Sequence, residues 1–521
     1  MRLGMGAVAL IMAATAFGAK DWDAQGKTWW SHVQFLADDK LAGRDVGSAG
    51  YDTAADYVIT QFEQAGLGPG AQTSYSQPVS LTQVTLNESA SNLALSNGGP
   101  VTLGDDALIT STRNVGKIDA PLVFAGYGLD IPEAGYSDLK SPDLKGAIAV
   151  YIGGGPASIA SEVRAHHSSG AERAAAMKAA GVIGTIAIPN PRTMDIPWAR
   201  QSANRLLPRM FLRDPVFTVN SIEFTATWNP AKADRLLAGS GHTIAEIFTA
   251  ADHNRELPHF ATPQRLTVHV EVQEKSVQSR NVAGVREGSD ARLKHEFVVV
   301  SAHLDHLGTG EKINGDGIFN GAMDDASGVA SVIEIARMLK AQKIRTKRSI
   351  LFLTVTGEEK GLLGSNYFAQ YPTAKGKIVA DINMDMFLPL FPLEYLEVQG
   401  LNESSLGADI RAAASKYHVV VQADKDPNAN RFIRSDQYSF IRRGIPALAF
   451  KFGWIPGSPQ EKIYRDWYRD RYHAVDDDLS QPVDLEAAAR FDAVLASLIE
   501  RVADALQPPH WNPNSVFKPN A

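Results

Sequence analysis

The sequence predicts an α/β fold, a mixed and largely parallel sheet flanked by helices, with a β-rich unit inserted into it. Three observations carry that expectation. From Val282 onward, short apolar runs alternate with amphipathic helical stretches, the pattern of strands covered by helices on both faces. Between about Asn114 and Ala261 the texture changes to short strands broken by Gly- and Pro-rich turns. The 521 residues exceed what one hydrophobic core usually holds, so at least two domains are expected.

Taken in order, the chain opens on Arg2 followed by an apolar stretch, Ala7 to Ala14, and small residues that would permit cleavage after Ala16 or Gly18. This is the form of an export signal, here residues 1–18; a membrane anchor or a hydrophobic first helix is the alternative. Thr28 to Leu36 has helical apolar spacing. So do Tyr51, Ala54, Ala55, Val58, Ile59 and Phe62, after the turn-prone Gly47-Ser-Ala-Gly50. Val79 to Val84 reads as a strand. In the inserted region, strands are expected at Pro121–Ala125, Gly146–Ile152 and Val182–Ile188, with a helix over Glu172–Ala180. His166-His167 is the one histidine pair there. Adjacent residues point apart, so it reads as solvated rather than as a site.

The regular α/β pattern follows. Phe297–Ala302 and Ile350–Val355 are apolar enough for buried strands, with further strands at Ile378–Met384, Tyr395–Val398 and Ala447–Phe450. Helices are expected at 326–340, Leu362–Tyr371 and 404–417, and Asp484 caps a last helix that Pro508 and Pro509 stop. Residues 507–521 read as a loose tail. The expected division is 20–114 with 271–506 as one domain and 115–270 as the insert.

Composition narrows the chemistry. A net charge of -7 gives no reason to expect nucleic acid or an anionic membrane as partner. Zero cysteines exclude disulfides, thiolate metal sites and a cysteine nucleophile, so any metal must sit among His, Asp and Glu. A cysteine-free exported chain suits the periplasm or the extracellular medium.

Five stretches bear side chains suited to such a site: Ser-Ala-His303-Leu-Asp305-His306, Gly-Ala-Met-Asp324-Asp325-Ala-Ser-Gly, Gly-Glu358-Glu359, Asn383-Met-Asp385-Met and Tyr472-His473. Each alone is weak, because a lone His-x-Asp, an acid pair in a loop or an acid pair before a helix has an ordinary structural use. Their placement matters more. His303 closes a strand, Glu358 and Glu359 follow another, Asp385 ends a third, and Asp324 lies in a Gly-rich turn before a helix. Carboxylates gathered on one rim of a sheet need a cation to offset their repulsion. Two divalent ions with a spare carboxylate are the equipment for hydrolysing an amide.

The ordered set resembles the M28 family of zinc exopeptidases. Leu41-Ala-Gly-Arg-Asp-Val-Gly-Ser-Ala-Gly-Tyr51 is similar to the family's N-terminal segment, and Asn281-Val-Ala-Gly-Val285 through Asp477 to its catalytic core. Residues 115 to 270 are similar, less specifically, to the protease-associated domain that many members carry. The resemblance implies two zinc ions per subunit: Asp324 bridging, His303 and Asp385 completing one site, Glu359 and His473 the other. It implies Glu358 as general base, Asp305 as acceptor of a hydrogen bond from His303, and a cis Asp324–Asp325 bond. Tyr472 is either a donor to the developing oxyanion or a packing aromatic. His306 reads as a loop contact. Arg434 to Phe440 resembles a loop near the substrate end, but Gln437 stands where many members have histidine, so no ligand is expected there. The implied activity is a secreted aminopeptidase acting on peptides. A carboxypeptidase or dipeptidase of the same scaffold, or a receptor-like relative without catalysis, is the alternative.

Overall fold

The computed structural model describes residues 21–217, 222–426 and 429–519. The export signal expected over residues 1–18 lies outside them. Among the described residues, no helix is long and apolar enough to cross a membrane.

The central sheet has the strand order 209–212, 76–86, 272–286, 349–355, 296–303, 377–383, 447–452, 395–399, 420–422. Its middle strands, 349–355, 296–303, 377–383 and 447–452, are mutually parallel, while 272–286 and 395–399 flank them antiparallel. The expected mixed sheet is therefore present, parallel at its centre, but antiparallel pairings on its flanks make it less parallel than expected. Period-two alternation divides each strand between two cores. Val298, Val300 and Ala302 face the layer of helices Trp22–Leu36, Ser327–Ala341 and Leu485–Asp504. Phe297 and Val299 face the layer that includes Phe368 and Phe440. Trp29 locks the first layer, its indole nitrogen donating to the Ser327 carbonyl and to Ser331 Oγ, both at 3.1 Å.

A second sheet of eight strands, from 92–95 to 259–270, surrounds its own core, with Leu122, Phe124, Val150, Ile186, Trp228 and Val268 fully buried. Sheet membership departs from the expected boundary near 115. Strands 92–95 and 107–109 pair into this second sheet, whereas 209–212 returns to the edge of the central one. Such edge pairings join distant segments and leave no local pattern to read. The C-terminal segment, expected to be loose, is docked: Trp511 Nε1 donates to the Gly444 carbonyl at 2.9 Å and Phe517 packs on Phe432. Two aromatic anchors outweigh the Pro/Asn-rich composition there. The histidine pair also finds partners. His166 Nδ1 lies 2.7 Å from the Tyr438 hydroxyl and His167 Nε2 2.7 Å from Glu133 Oε1.

Candidate metal centre

The parallel strands all deliver their carboxyl ends to one rim. His303 is the last residue of strand 296–303, Asp385 lies two residues beyond strand 377–383, and Glu358 three beyond strand 349–355. Asp324 enters from the turn before helix Ser327–Ala341, and His473 from the loop after helix Pro459–Asp470.

The side chains converge in two sets that share Asp324. In one, His303 Nε2 lies 3.1 Å from Asp324 Oδ1 and 3.8 Å from Asp385 Oδ1. In the other, His473 Nε2 is 3.3 Å from Asp324 Oδ2 and 3.1 Å from Glu359 Oε2. All the residues expected as ligands are therefore brought together. His306, expected as a loop contact, joins them: its Nδ1 is 2.7 Å from Glu359 Oε1, and it groups with Asp324 and Glu359 in ligand-like spacing. The local signal was present, a third imidazole three residues after His303, but whether the loop turned it inward was not in the sequence.

Several residues of the cluster are held by neighbours. A carbonyl can only accept, so the 3.0 Å contact of His303 Nδ1 with the Asp305 carbonyl oxygen places the ring proton on Nδ1 and leaves Nε2 to face the cluster. The expectation that the Asp305 carboxylate would receive this bond is thus corrected. That carboxylate instead accepts the backbone N–H groups of Glu358 (3.1 Å) and Glu359 (3.3 Å). The turn between the strand and its ligand simply brings the nearer carbonyl to the ring.

Three supports were missed by sequence reasoning. Asp325, whose peptide bond to Asp324 is cis, accepts from the backbone N–H groups of His303, Gly328 and Met386. It thereby ties three ligand-bearing segments together. Asp477 accepts from Met323 N at 2.9 Å and Asp324 N at 3.0 Å. Arg44, 1% exposed, donates to the carbonyls of Leu36, Leu304, Asn320 and Gly321. Arg44 lies in the Leu-Ala-Gly-Arg segment already singled out, so a signal existed without a stated role. Gly321 adopts φ 59°, and a Cβ there would stand 2.1 Å from the Asp324 carbonyl oxygen and 2.5 Å from His306 Cγ. Only glycine lets that turn pass between the two ligands.

The electrostatics show what the cluster demands. His303 Nε2, Asp324 Oδ2, Glu359 Oε1, Asp385 Oδ1 and both ring nitrogens of His306 are buried without a completed hydrogen bond. Buried polar atoms without partners are costly unless something satisfies them. Burial alone would disfavour charge on His473, yet Glu359 and Asp324 push its imidazole up to about 10. Burial would raise Asp324 too, yet His303 and His473 hold it well below the usual carboxylate range. The cluster thus recruits positive charge, and its converging imidazole and carboxylate atoms fit a pair of divalent cations. Glu358 differs. Burial, with Glu359 beside it, raises its carboxyl well above the usual value, and that carboxylate carries no hydrogen bond among the described residues.

At the rim, Tyr472 Oη accepts from Arg434 Nη2 at 3.1 Å, and its ring lies 4.0 Å from that of His473. Gln437 is not among the converging atoms. Its amide oxygen accepts from Asn383 Nδ2 at 3.0 Å and its amide nitrogen donates to the Phe432 carbonyl.

Comparison with known proteins gives this geometry a lineage. The pattern of the family described as Peptidase family M28 matches residues 281–499, which contain every residue of the cluster. Over that segment, about two fifths of the chain, the protein is similar to peptidase family M28. It is 28% identical over 225 residues to a protein named probable leucine aminopeptidase 2 of Aspergillus oryzae, covering 40% of this chain and 42% of that one. It is also 28% identical over 190 residues to aminopeptidase Y of Saccharomyces cerevisiae, covering 35% and 32%. The chain thus spans less than half the length of these relatives. A solved structure titled as an aminopeptidase from Aneurinibacillus sp. strain AM-1 superposes on 95% of this chain and 96% of its own, with a TM-score of 0.55 and 20% identity. That likeness shows a shared fold over nearly the whole length of both chains.

Proposed function

We propose that this protein is a two-zinc aminopeptidase that removes N-terminal residues from peptides by hydrolysis. The observation that supports it is the pair of ligand sets joined at Asp324 with Glu358 alongside, unligated. The M28 relationship and the relatives named as aminopeptidases support the same reading. In a site without thiolates, His303, Asp324 and Asp385 would hold one ion and Asp324, Glu359 and His473 the other. Two such ions supply a polarised scissile carbonyl and an acidified attacking water.

The chain's own groups do the rest. Glu358, free of other bonds, takes the proton from the attacking water and delivers it to the leaving amine nitrogen. The Asp305 carboxylate fixes the turn that aims Glu358 inward while Glu359 stays among the ligands. Because Tyr472 Oη accepts from Arg434, its own proton is free to be donated to the oxygen on which negative charge develops. Export to an oxidising compartment belongs to the same proposal, supported by the absence of cysteine. So does the assignment of the eight-stranded unit as a protease-associated insert.

Glu358→Gln tests the central role. We expect it to keep two zinc ions per chain by elemental analysis while turnover of aminoacyl-arylamides falls about 10²–10⁴-fold. A variant that retains near-wild-type turnover would refute the base assignment.

A further inference from the structure

A pocket opens between Asp385 of one ligand set and Tyr472, the neighbour of His473 in the other. A substrate whose scissile carbonyl lies over the cluster therefore has an adjoining group within reach of it. Its walls include Gln399, Arg431, Arg434, Lys451 and Tyr468. That lining is cationic. Lys451 Nζ donates to the Asp385 carbonyl at 2.7 Å, Arg431 lies over the Tyr468 ring at 4.5 Å, and Arg434 holds Tyr472. The one carboxylate in the lining is Asp385, already committed to the ligand cluster.

Nearby acids offset much of this charge, including Asp385, whose Oδ1 lies 3.7 Å from Lys451 Nζ. Asp195, outside the lining, bridges Arg431 Nη2 at 3.0 Å and Arg434 Nη1 at 2.5 Å, so one carboxylate is shared by two guanidiniums. Asp426, 3.6 Å from Arg431, is shared with Arg465 at 3.2 Å. Asp424 and Glu397 also act on Arg431's surroundings, and burial pushes the Glu397 carboxyl up to about 7, favouring its neutral form. Meanwhile donors remain unused. Arg431 Nε is buried without a partner, and Gln399, 3% exposed, has Glu397 beside it at less than full hydrogen-bond geometry. Buried donors in a cationic wall point to an anionic acceptor that arrives with the ligand.

We propose that this pocket recognises a substrate carboxylate, so that the protein cleaves next to an acidic residue in preference to an aliphatic one. An aliphatic side chain there would leave Arg431 Nε unpaired in a dry site, and sites built to bond a polar group discriminate strongly against analogues lacking it. The inference rests on the peptidase reading above and adds the substrate class to it. A carboxylate reaches the pocket from either of two sources, an acidic side chain or a peptide's own C terminus; the side chain is the source consistent with aminopeptidase action.

The test uses the full-length zinc-loaded protein and compares kcat/KM for Glu-, Asp-, Gln- and Leu-p-nitroanilides and for N-acetylated dipeptides with a free C terminus. We expect Glu or Asp to exceed Leu by at least about tenfold, and Gln399→Leu to shrink that ratio severalfold. Equal rates or a preference for Leu would overturn the carboxylate pocket while leaving the aminopeptidase reading intact. Cleavage confined to the N-acetylated dipeptides would keep the pocket, assign it to the C-terminal carboxylate, and remove the aminopeptidase reading. If no substrate is cleaved, calorimetric titration of L-glutamate and L-leucine into zinc-loaded Glu358→Gln decides: tighter glutamate binding supports the pocket, and equal or weaker binding overturns it.

Discussion

Asp305 follows the strand that carries His303, yet its carboxylate serves the neighbouring loop. It receives the N–H groups of Glu358 and Glu359, so one side chain sets the directions of two adjacent acids with different tasks. Asp305→Asn would set an amide donor against one of these buried N–H groups, at a cost of about 1–3 kcal/mol. On the proposed two-zinc reading, expected outcomes are a turnover reduced about 10–100-fold and faster loss of zinc to a chelator, followed by elemental analysis. Wild-type zinc retention and turnover would show that the turn does not depend on this carboxylate. The residue types at the centre were legible because ligation restricts them to His, Asp and Glu. Which atom of Asp305 meets His303 was not, since carbonyl and carboxylate of one residue lie within reach of the same ring.

At the scale of elements, the last helix, Leu485–Asp504, was legible from its cap and its apolar spacing, and Asp484 does accept from Ala487 N at 2.9 Å. Its interior holds a surprise for a buried face: Asp492, 2% exposed, with Oδ1 unpartnered. Burial raises its carboxyl well above the ordinary 3.8, and Glu334, Ser331 and Arg337 are the groups that act on it from helix Ser327–Ala341. The folded state therefore keeps a proton that the unfolded chain has lost. Stability contributed by this group is present near and below pH 3.8 and is lost as pH rises through the folded-state value. Asp492→Asn, which needs no proton, should melt higher than the parent at pH 8, by about 1 °C per kcal/mol relieved, with a smaller gap at pH 5. Calorimetry at the two pH values checks this. A gap that does not widen with pH would show that Asp492 is not held neutral.

For the whole molecule, the eight-stranded unit does not stand apart from the metal centre. Arg200 Nη1 donates to the Tyr472 carbonyl at 2.6 Å, and its Nη2 donates to the carbonyls of Arg469 at 2.8 Å and Asp470 at 3.2 Å. These carbonyls end helix Pro459–Asp470 and lead into His473, so a side chain from helix Trp198–Ala203 caps the segment that carries a residue of the cluster. Asp195 adds a second tie through Arg431 and Arg434. Arg200→Ala should weaken apparent zinc affinity by about 3–10-fold, with little change in far-ultraviolet circular dichroism. Zinc titration by calorimetry measures it, and an unchanged affinity would mean that helix Trp198–Ala203 merely rests on the segment before His473.

The sequence by itself determined the alternation of strands and helices, the absence of thiol chemistry and the identities of the acids and imidazoles at the strand ends. These are local properties: side-chain periodicity, turn residues and donor type are written in neighbouring positions. Tertiary structure alone decided that His306 joins the cluster, that Asp325, Asp477 and Arg44 brace it, and that Asp195 and Arg200 reach its surroundings from a distant segment. It also placed Gln399, Arg431 and Lys451 around one pocket although they come from separate strands and a loop. Such meetings depend on how distant segments cross at a common rim, and no spacing within a single segment encodes that crossing.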